Sequence, residues 1–226
     1  MMDQEPEFKP YPPEIVNKHR GKVGIVLGNG PSINEYNLKT DFFKNAITFG
    51  TNAIGIKIHP TYYLITDKRA WNWYQPMVAQ SAAKGSKLII GAKQLRRIKA
   101  LKLPPPPKNL FVIRYKSDDA LGEPVLGGPL FHGRTVGIVA LNLAFQMGCN
   151  PVYMLGIDGF SLPKKHFHKL HEKEINKVHS KDERDELVKE NLIKINRAFW
   201  KDNRRLINLS SCSIWKGIIP KGKLGD

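Results

Sequence analysis

The sequence predicts an α/β fold with a mostly parallel sheet. Short, wholly apolar runs recur along the chain, each ends in a polar or glycine-rich element, and helix-capable or loop stretches separate them. At 226 residues, 41% hydrophobic and 25% charged, the chain has the length of one domain with its own core and an ordinary globular balance.

Taken in order, residues 1–21 read as an irregular N-terminal arm, with prolines at 6, 10, 12 and 13 and no periodicity. A single domain over 22–226 comes next. Lys22–Leu27 (KVGIVL) is a short apolar run bounded by glycine, as a buried strand should be. Ala46–Phe49 and Tyr62–Thr66 are further strands, ending in Thr51-Asn52 and Asp67. Lys87–Ile90 and Leu110–Ile113 extend the series. Thr135–Met147 (TVGIVALNLAFQM) is apolar on nearly every face and predicts a buried helix; Gly148 supplies a left-handed cap and Pro151 forbids continuation. Val152–Gly156 is the next strand. Residues 160–179, rich in lysine and histidine, read as a mobile lid rather than core.

Ser180 then opens a helix. Glu183 lies three residues on, which is a capping box, and Asp182, Glu183 and Asp185 suit the positive helix end. Val188, Leu192, Ile195 and Phe199 form one apolar stripe. The helix should end near Lys201–Asn203, and Leu206–Leu209 is the last strand.

Several classes are excluded by composition. Two cysteines, Cys149 and Cys212, cannot build a disulfide scaffold or a four-cysteine zinc site. No apolar run reaches the ~18 residues of a spanning helix, and the acidic, proline-rich start is no signal peptide. A reducing cytoplasm is the expected location. Charge is the unusual quantity: 36 Lys+Arg against 20 Asp+Glu give +16, beyond what solubility needs. Residues 84–108 hold 8 basic residues and no acid, including Arg96, Arg97 and Lys99. Such a segment suits an anionic partner, a nucleic-acid backbone or a membrane surface.

The first chemical candidate is GNGPS at 28–32. A strand emptying into a glycine-rich turn presents backbone N–H groups to an anion, with Gly28 and Gly30 permitting close approach and Ser32 able to cap the segment after it. It is neither a G-x-G-x-x-G nor a Walker A loop. In parallel sheets ligands bind beyond the carboxyl ends of the strands, so Asn29, Asn52, Asp67 and Asp158 should converge there. Asn29 and Asn52 can both donate to and accept from a base edge or ribose hydroxyl. Asp67 and Asp158 are the possible metal ligands but lack a local partner carboxylate. His179 stands one residue before the cap of the last helix, where the helix dipole disfavours imidazolium and leaves a ring able to accept a proton.

GNGPS, Thr51-Asn52, HGRTVG, VYMLGIDGF, the later HSK and the final NLSSCS-x-W together resemble the bacterial sialyltransferases of glycosyltransferase family 42, over roughly residues 22–219. The resemblance implies a single Rossmann-like domain, a sialyltransferase-like variant of the GT-A type, with a small lid. It implies sugar transfer from a nucleotide-activated donor, CMP- or UDP-linked, without metal or prosthetic group. By the same resemblance Gly28, Asn29, Gly30 and Ser32 cradle the nucleotide, Asn52 meets the nucleoside, Thr135 the donor's anionic end, and Asp158 belongs to the donor site. His179 becomes the base that deprotonates the acceptor hydroxyl. The family's lid tyrosines are missing from FSLPKKHFHKLH, where Lys164, Lys165, His166 or His168 would have to take the leaving phosphate.

The acceptor is open at this stage: a surface glycan, or a hydroxylated base in DNA with Arg96, Arg97 and Lys99 on the backbone. Two alternatives stand beside it. The archaeal pterin diphosphokinase-like family shares the G-x-G-P-S turn and the G-x-D strand end; that reading implies Mg²⁺ at Asp67 and Asp158. A non-catalytic nucleic-acid-binding module would use the basic face alone.

Overall fold

Strands buried along their whole length need cover on both faces. In a computed structural model that describes residues 11–92, 110–113, 115–116, 122–163, 166–170 and 182–225, seven strands form one sheet: β1 (Gly24–Leu27), β2 (Ile47–Thr51), β3 (Tyr62–Ile65), β4 (Lys87–Gly91), β5 (Leu110–Ile113), β8 (Val152–Leu155) and β9 (Leu206–Asn208). The two-residue strands β6 (Tyr115–Lys116) and β7 (Leu130–Phe131) pair separately. The order is β5-β4-β3-β2-β1-β8-β9, and each neighbouring pair is parallel. Every residue of β1, β3 and β8 is buried, as parallel strands covered by helices require.

The period-two alternation of strands sorts the core into two layers. Val26, Phe49, Leu64, Ile89 and Met154 face a layer containing the helices α3 (Val136–Gln146) and α4 (Asp182–Lys201). Ile25, Leu27, Tyr63, Ile65 and Leu155 face the other, with the short α1 (Asp41–Asn45) and the longer α2 (Lys68–Ala83). The architecture is therefore a three-layer α/β domain.

α3 is the central helix. Residues Gly137–Gln146 are all buried, so its polar members must find partners inside. Gln146 does: its Oε1 accepts from the Tyr11 hydroxyl and from Gly127 N, each at 2.8 Å, and its Nε2 donates to Val125 O at 2.9 Å. Gly148 follows with φ 78°, the left-handed stop anticipated from sequence. On α4, Val188, Leu192, Ile195 and Phe199 are each at most 1% exposed, so the stripe is the buried face.

Two segments differ from the simplest sequence reading. Residues 11–21 have little regular structure yet lie against α3: Asn17 N donates to Gln146 O, His19 N to Met147 O and Gly21 N to Gly148 O. The lid segment is not all surface. Phe167 is buried in the second core layer, and its backbone N donates to Asn29 O at 2.9 Å while its carbonyl accepts from Asn34 Nδ2 at 3.3 Å. Apolar burial overrides the charge of its neighbours, so the expectation of a lid without core contacts is corrected at this residue.

Candidate active site

Strand order reverses between β1 and β8, and the registers Leu27↔Gly50 and Leu27↔Leu155 bring the ends of β1, β2 and β8 level. A crevice at such a switch point is where ligands enter open α/β sheets. Gly28, Asn29, Gly30, Asn52, Thr135 and Asp158 line one cavity there, of ≈ 710 Å³. Asp67, His166 and His168 line it too.

The two glycines of the turn serve the protein first. A Cβ on Gly28 would stand 2.1 Å from Gly156 O, and one on Gly30 would stand 2.3 Å from Asp158 Oδ2. The β1 turn is thus seated directly on the β8 turn. Asp158 makes the clasp: its Oδ2 accepts from Ser32 N at 2.9 Å and its Oδ1 from Ser32 Oγ at 2.8 Å, while Ser32 Oγ accepts from Gly156 N at 2.9 Å. Asp158 is 2% exposed and Ser32 fully buried. Burial raises the pKa of Asp158, against which hydrogen bonds from Ser32 N, Ser210 and Ser32 Oγ pull it down. Ser32 is turned inward onto Asp158, so this turn offers a ligand its backbone rather than a serine hydroxyl.

Asn29 braces the neighbouring strand. Its Nδ2 donates to Thr51 Oγ1 and its Oδ1 accepts from Ala53 N, each at 2.9 Å. Asn52 differs. Its φ is 45°, and its carbonyl accepts a short hydrogen bond from the Tyr63 hydroxyl. Its Oδ1 is buried with no hydrogen-bond partner among the described residues. A left-handed side-chain-bearing residue costs of order 1 kcal/mol or more and persists where the surroundings demand it, and an unmet buried acceptor adds to that.

The third wall begins at the turn 132–135. Thr135 N donates to His132 O at 3.3 Å, with Gly133 at φ 53° and Arg134 at φ 63°. Both central residues are left-handed, the type I′ geometry. Gly133 cannot carry a Cβ, which would meet Ile138 Cγ2 at 2.3 Å. Thr135 then caps α3, accepting from Gly137 N at 3.0 Å, so the helix points its positive end into the cavity.

Sequence reasoning did not single out the cations gathered here. Arg184, in the first turn of α4, donates from Nη2 to Arg134 O at 3.3 Å and lies 4.8 Å over the Phe160 ring. The adjacent Asp185 holds the start of the segment after β8, its two carboxylate oxygens accepting from Phe160 N at 2.7 Å and Ser161 N at 2.8 Å. His132 shares the cavity. Burial lowers its pKa, Arg184 and Arg134 lower it further, and Asp67 opposes them. Asp67 itself caps α2, accepting from Ala70 N at 2.8 Å. From α2, Tyr74 reaches the cavity edge-on to His168, ring centroids 6.0 Å apart; burial pushes its phenol up to about 12, so it stays a donor at neutral pH. The signal for Arg134 was the unabsorbed middle of HGRTVG; Arg184 had none beyond its place in an acidic first turn.

Among the described residues no group of three His, Cys, Asp or Glu could hold a metal ion. Asp67 and Asp158, named as ligands in the diphosphokinase alternative, are engaged in a helix cap and a turn clasp. His179, Lys164, Lys165, Arg96, Arg97 and Lys99 lie outside the described residues.

Comparison with solved structures finds the same fold in other proteins. The sialyltransferase CstII from Campylobacter jejuni, in complex with cytidine-5'-monophosphate, aligns with TM-score 0.53 and 15% identity over 89% of this chain and 85% of that one. The monofunctional α-2,3-sialyltransferase Cst-I from the same organism aligns with TM-score 0.55 and 11% identity, over 89% and 80%. The MAf glycosyltransferase from Magnetospirillum magneticum AMB-1 aligns with TM-score 0.60 and 14% identity, over 91% of this chain and 34% of that one. The chain has the fold of these glycosyltransferases. No family model and no curated protein matches its sequence.

Proposed function

We propose that this protein is a glycosyltransferase that moves a sugar from a nucleotide-activated donor to a hydroxyl acceptor. The observation that carries the reading is the cavity at the β1/β8 switch point, in a fold shared with a sialyltransferase that binds cytidine monophosphate. The backbone of Gly28–Gly30 flanks the nucleotide. Asn52 Oδ1, an acceptor without a donor among the described residues, takes a hydrogen bond from the ribose or base. Thr135 and the N-terminus of α3, with Arg134 and Arg184, hold anionic charge on the donor.

The chemistry is a displacement. The acceptor oxygen attacks the anomeric carbon, and the bond from that carbon to the phosphate oxygen breaks, its electron pair leaving on the phosphate. The acceptor's proton passes to His179. His166 and His168, with Lys164 and Lys165, offset the charge that develops on the leaving group, for which pre-oriented positive groups are usually the largest single contribution. No metal ion is needed in this scheme. The acceptor is a glycan hydroxyl; a solved relative in fold is described with a trisaccharide acceptor and CMP.

The test is release of CMP or UDP from nucleotide sugars in the presence of glycan acceptors. Turnover with EDTA equal to turnover without it is the expected result. Activity lost in EDTA and restored by Mg²⁺, with ATP as substrate, would replace this reading by diphosphoryl transfer, and transfer only to duplex oligonucleotides would move the acceptor to DNA.

Asn52 gives a sharper check by calorimetry with CMP. Asn52→Gly keeps the left-handed backbone without strain but deletes the acceptor, so Kd should rise about two- to tenfold, the worth of one net neutral hydrogen bond. An unchanged Kd would remove Asn52 from the nucleotide site.

A further inference from the structure

The cavity does not account for the opposite end of the molecule. Trp200, in the last turn of α4, is 76% exposed and Val125 is 64% exposed, with Leu126 at 37% and Ile193 at 39%. Trp200 and Val125 belong to one region of the surface rather than being scattered over it. Lys201 Nζ lies 2.9 Å from Glu123 Oε1, which ties the 123–127 loop to the end of α4. The loop is held from beneath by Gln146, through Val125 O and Gly127 N. Its apolar tip is therefore built in an exposed position, at a cost in water that the fold does not recover.

Cations flank this apolar patch: Arg197, Arg204 and Arg205 lie with Trp200 and Ile193 along one groove. Asp202 is already paired with Arg204 at 2.6 Å. A groove of ≈ 660 Å³ runs along this region, lined by Ile193, Arg197, Trp200, Ile218 and Lys221 among others. Arg20 joins the same field: its neighbours His19 and Gly21 donate from N to Met147 O and Gly148 O, and Arg204 Nη1 donates to Phe145 O, so both arginines lie at the end of α3. Arg20, Trp200 and Arg204 lie where β1 and β9 begin, and Lys221, paired with Asn208, extends the groove along β9; the candidate active site lies beyond the ends of β1, β2 and β8.

We propose that this face docks on an anionic membrane surface, with Trp200, Val125 and Leu126 entering the headgroup layer and Arg20, Arg197 and Lys221 meeting lipid phosphates. Among the described residues no helix is long and apolar enough to cross a membrane; the proposed contact is made by side chains of this face. An indole at the rim of an apolar cluster suits the interface between headgroups and chains, and each cation near an anionic leaflet strengthens binding about fivefold. Three aliphatic side chains and one indole favour lipid over nucleic acid, which would need several stacking rings. A second copy of the chain is disfavoured by the cations it would bring to the same contact. The proposal stands independently of the transfer reaction.

The experiment is flotation of the intact protein with vesicles of phosphatidylcholine alone or with about 30% phosphatidylglycerol. Binding only to the anionic vesicles, weakening as salt is raised to about 0.5 M, is expected. Trp200→Ser, and separately Val125→Ser with Leu126→Ser, should each lower partition about tenfold or more. These positions are exposed, so thermal melting should not change, and Arg197→Ser with Lys221→Ser should weaken binding without touching an apolar contact. Absence of binding, equal binding to neutral vesicles, or unchanged partition of Trp200→Ser would overturn the proposal. So would a single-stranded oligonucleotide or a dimer, detected by anisotropy or sedimentation, that depends on Trp200 while vesicles do not.

Discussion

Alanine at position 179 is expected to lower kcat by about 10²–10⁴-fold, the usual contribution of a general base, while the Kd for CMP stays within a factor of about two. The expectation comes from the sequence HSKDE, which sets the imidazole one residue before a capping box. A helix N-terminus favours the neutral ring, and only a neutral ring can take the acceptor's proton. The described structure supplies a rival inside the cavity, which makes the experiment decisive. His132 is kept below its ordinary pKa, first by burial and then, against Asp67, by Arg184 and Arg134. Single-turnover rates of His179→Ala and His132→Ala, measured against pH, distinguish the two. If His179→Ala keeps more than about half of the activity and His132→Ala does not, the base is the histidine of the type I′ turn.

Much of the fold was legible because burial leaves a periodic trace. β5 falls at Leu110–Ile113 as read, and the α4 stripe from Val188 to Phe199 is the buried face. α3 could be placed because a run with no polar face has nowhere to lie but the interior. α2 was less visible: Pro76 stands inside it and masks the helical spacing of its buried residues Trp71, Tyr74 and Val78. Its start was marked all the same, by Asp67 accepting from Ala70 N. β6 and β7, two residues each, are too short for any period to show.

The convergence of Asn29, Asn52, Asp67 and Asp158 on one cavity follows from strand ends alone, whereas Thr135, the cap of α3, was implied only by the family resemblance. What each side chain does there does not. Asn29 and Ser32 are spent on the protein, and Asp158 faces inward, because the contacts that claim them lie across 126 residues of sequence in the case of Ser32 and Asp158. The pairing of Arg134 with Arg184 spans 50 residues and depends on a turn whose left-handed residues no hydrophobic pattern encodes. Sequence thus located the cavity better than it located the contacts of individual groups within it.

Asp158→Ala should be the most damaging single change to stability, lowering it by about 3 kcal/mol or more. It leaves Ser32 N and Ser32 Oγ buried without acceptors, each costing about 1–3 kcal/mol, and it opens the contact between the β1 and β8 turns. Asp158→Asn keeps one acceptor and should lose about half as much. The pH dependence separates the two effects. Burial raises the folded-state pKa of Asp158 above its unfolded value, so the native fold favours the protonated carboxyl. Its stabilising contribution is full below the ordinary carboxylate range and declines as pH rises through the raised pKa. The stability gap between the wild-type protein and Asp158→Asn, read from urea unfolding, should accordingly be wider at about pH 4 than at about pH 7. A gap that widens towards neutral pH would show an ionised Asp158 held by net favourable charge interactions. The turn would then be held by charge attraction rather than by a hydrogen-bonded clasp working against burial.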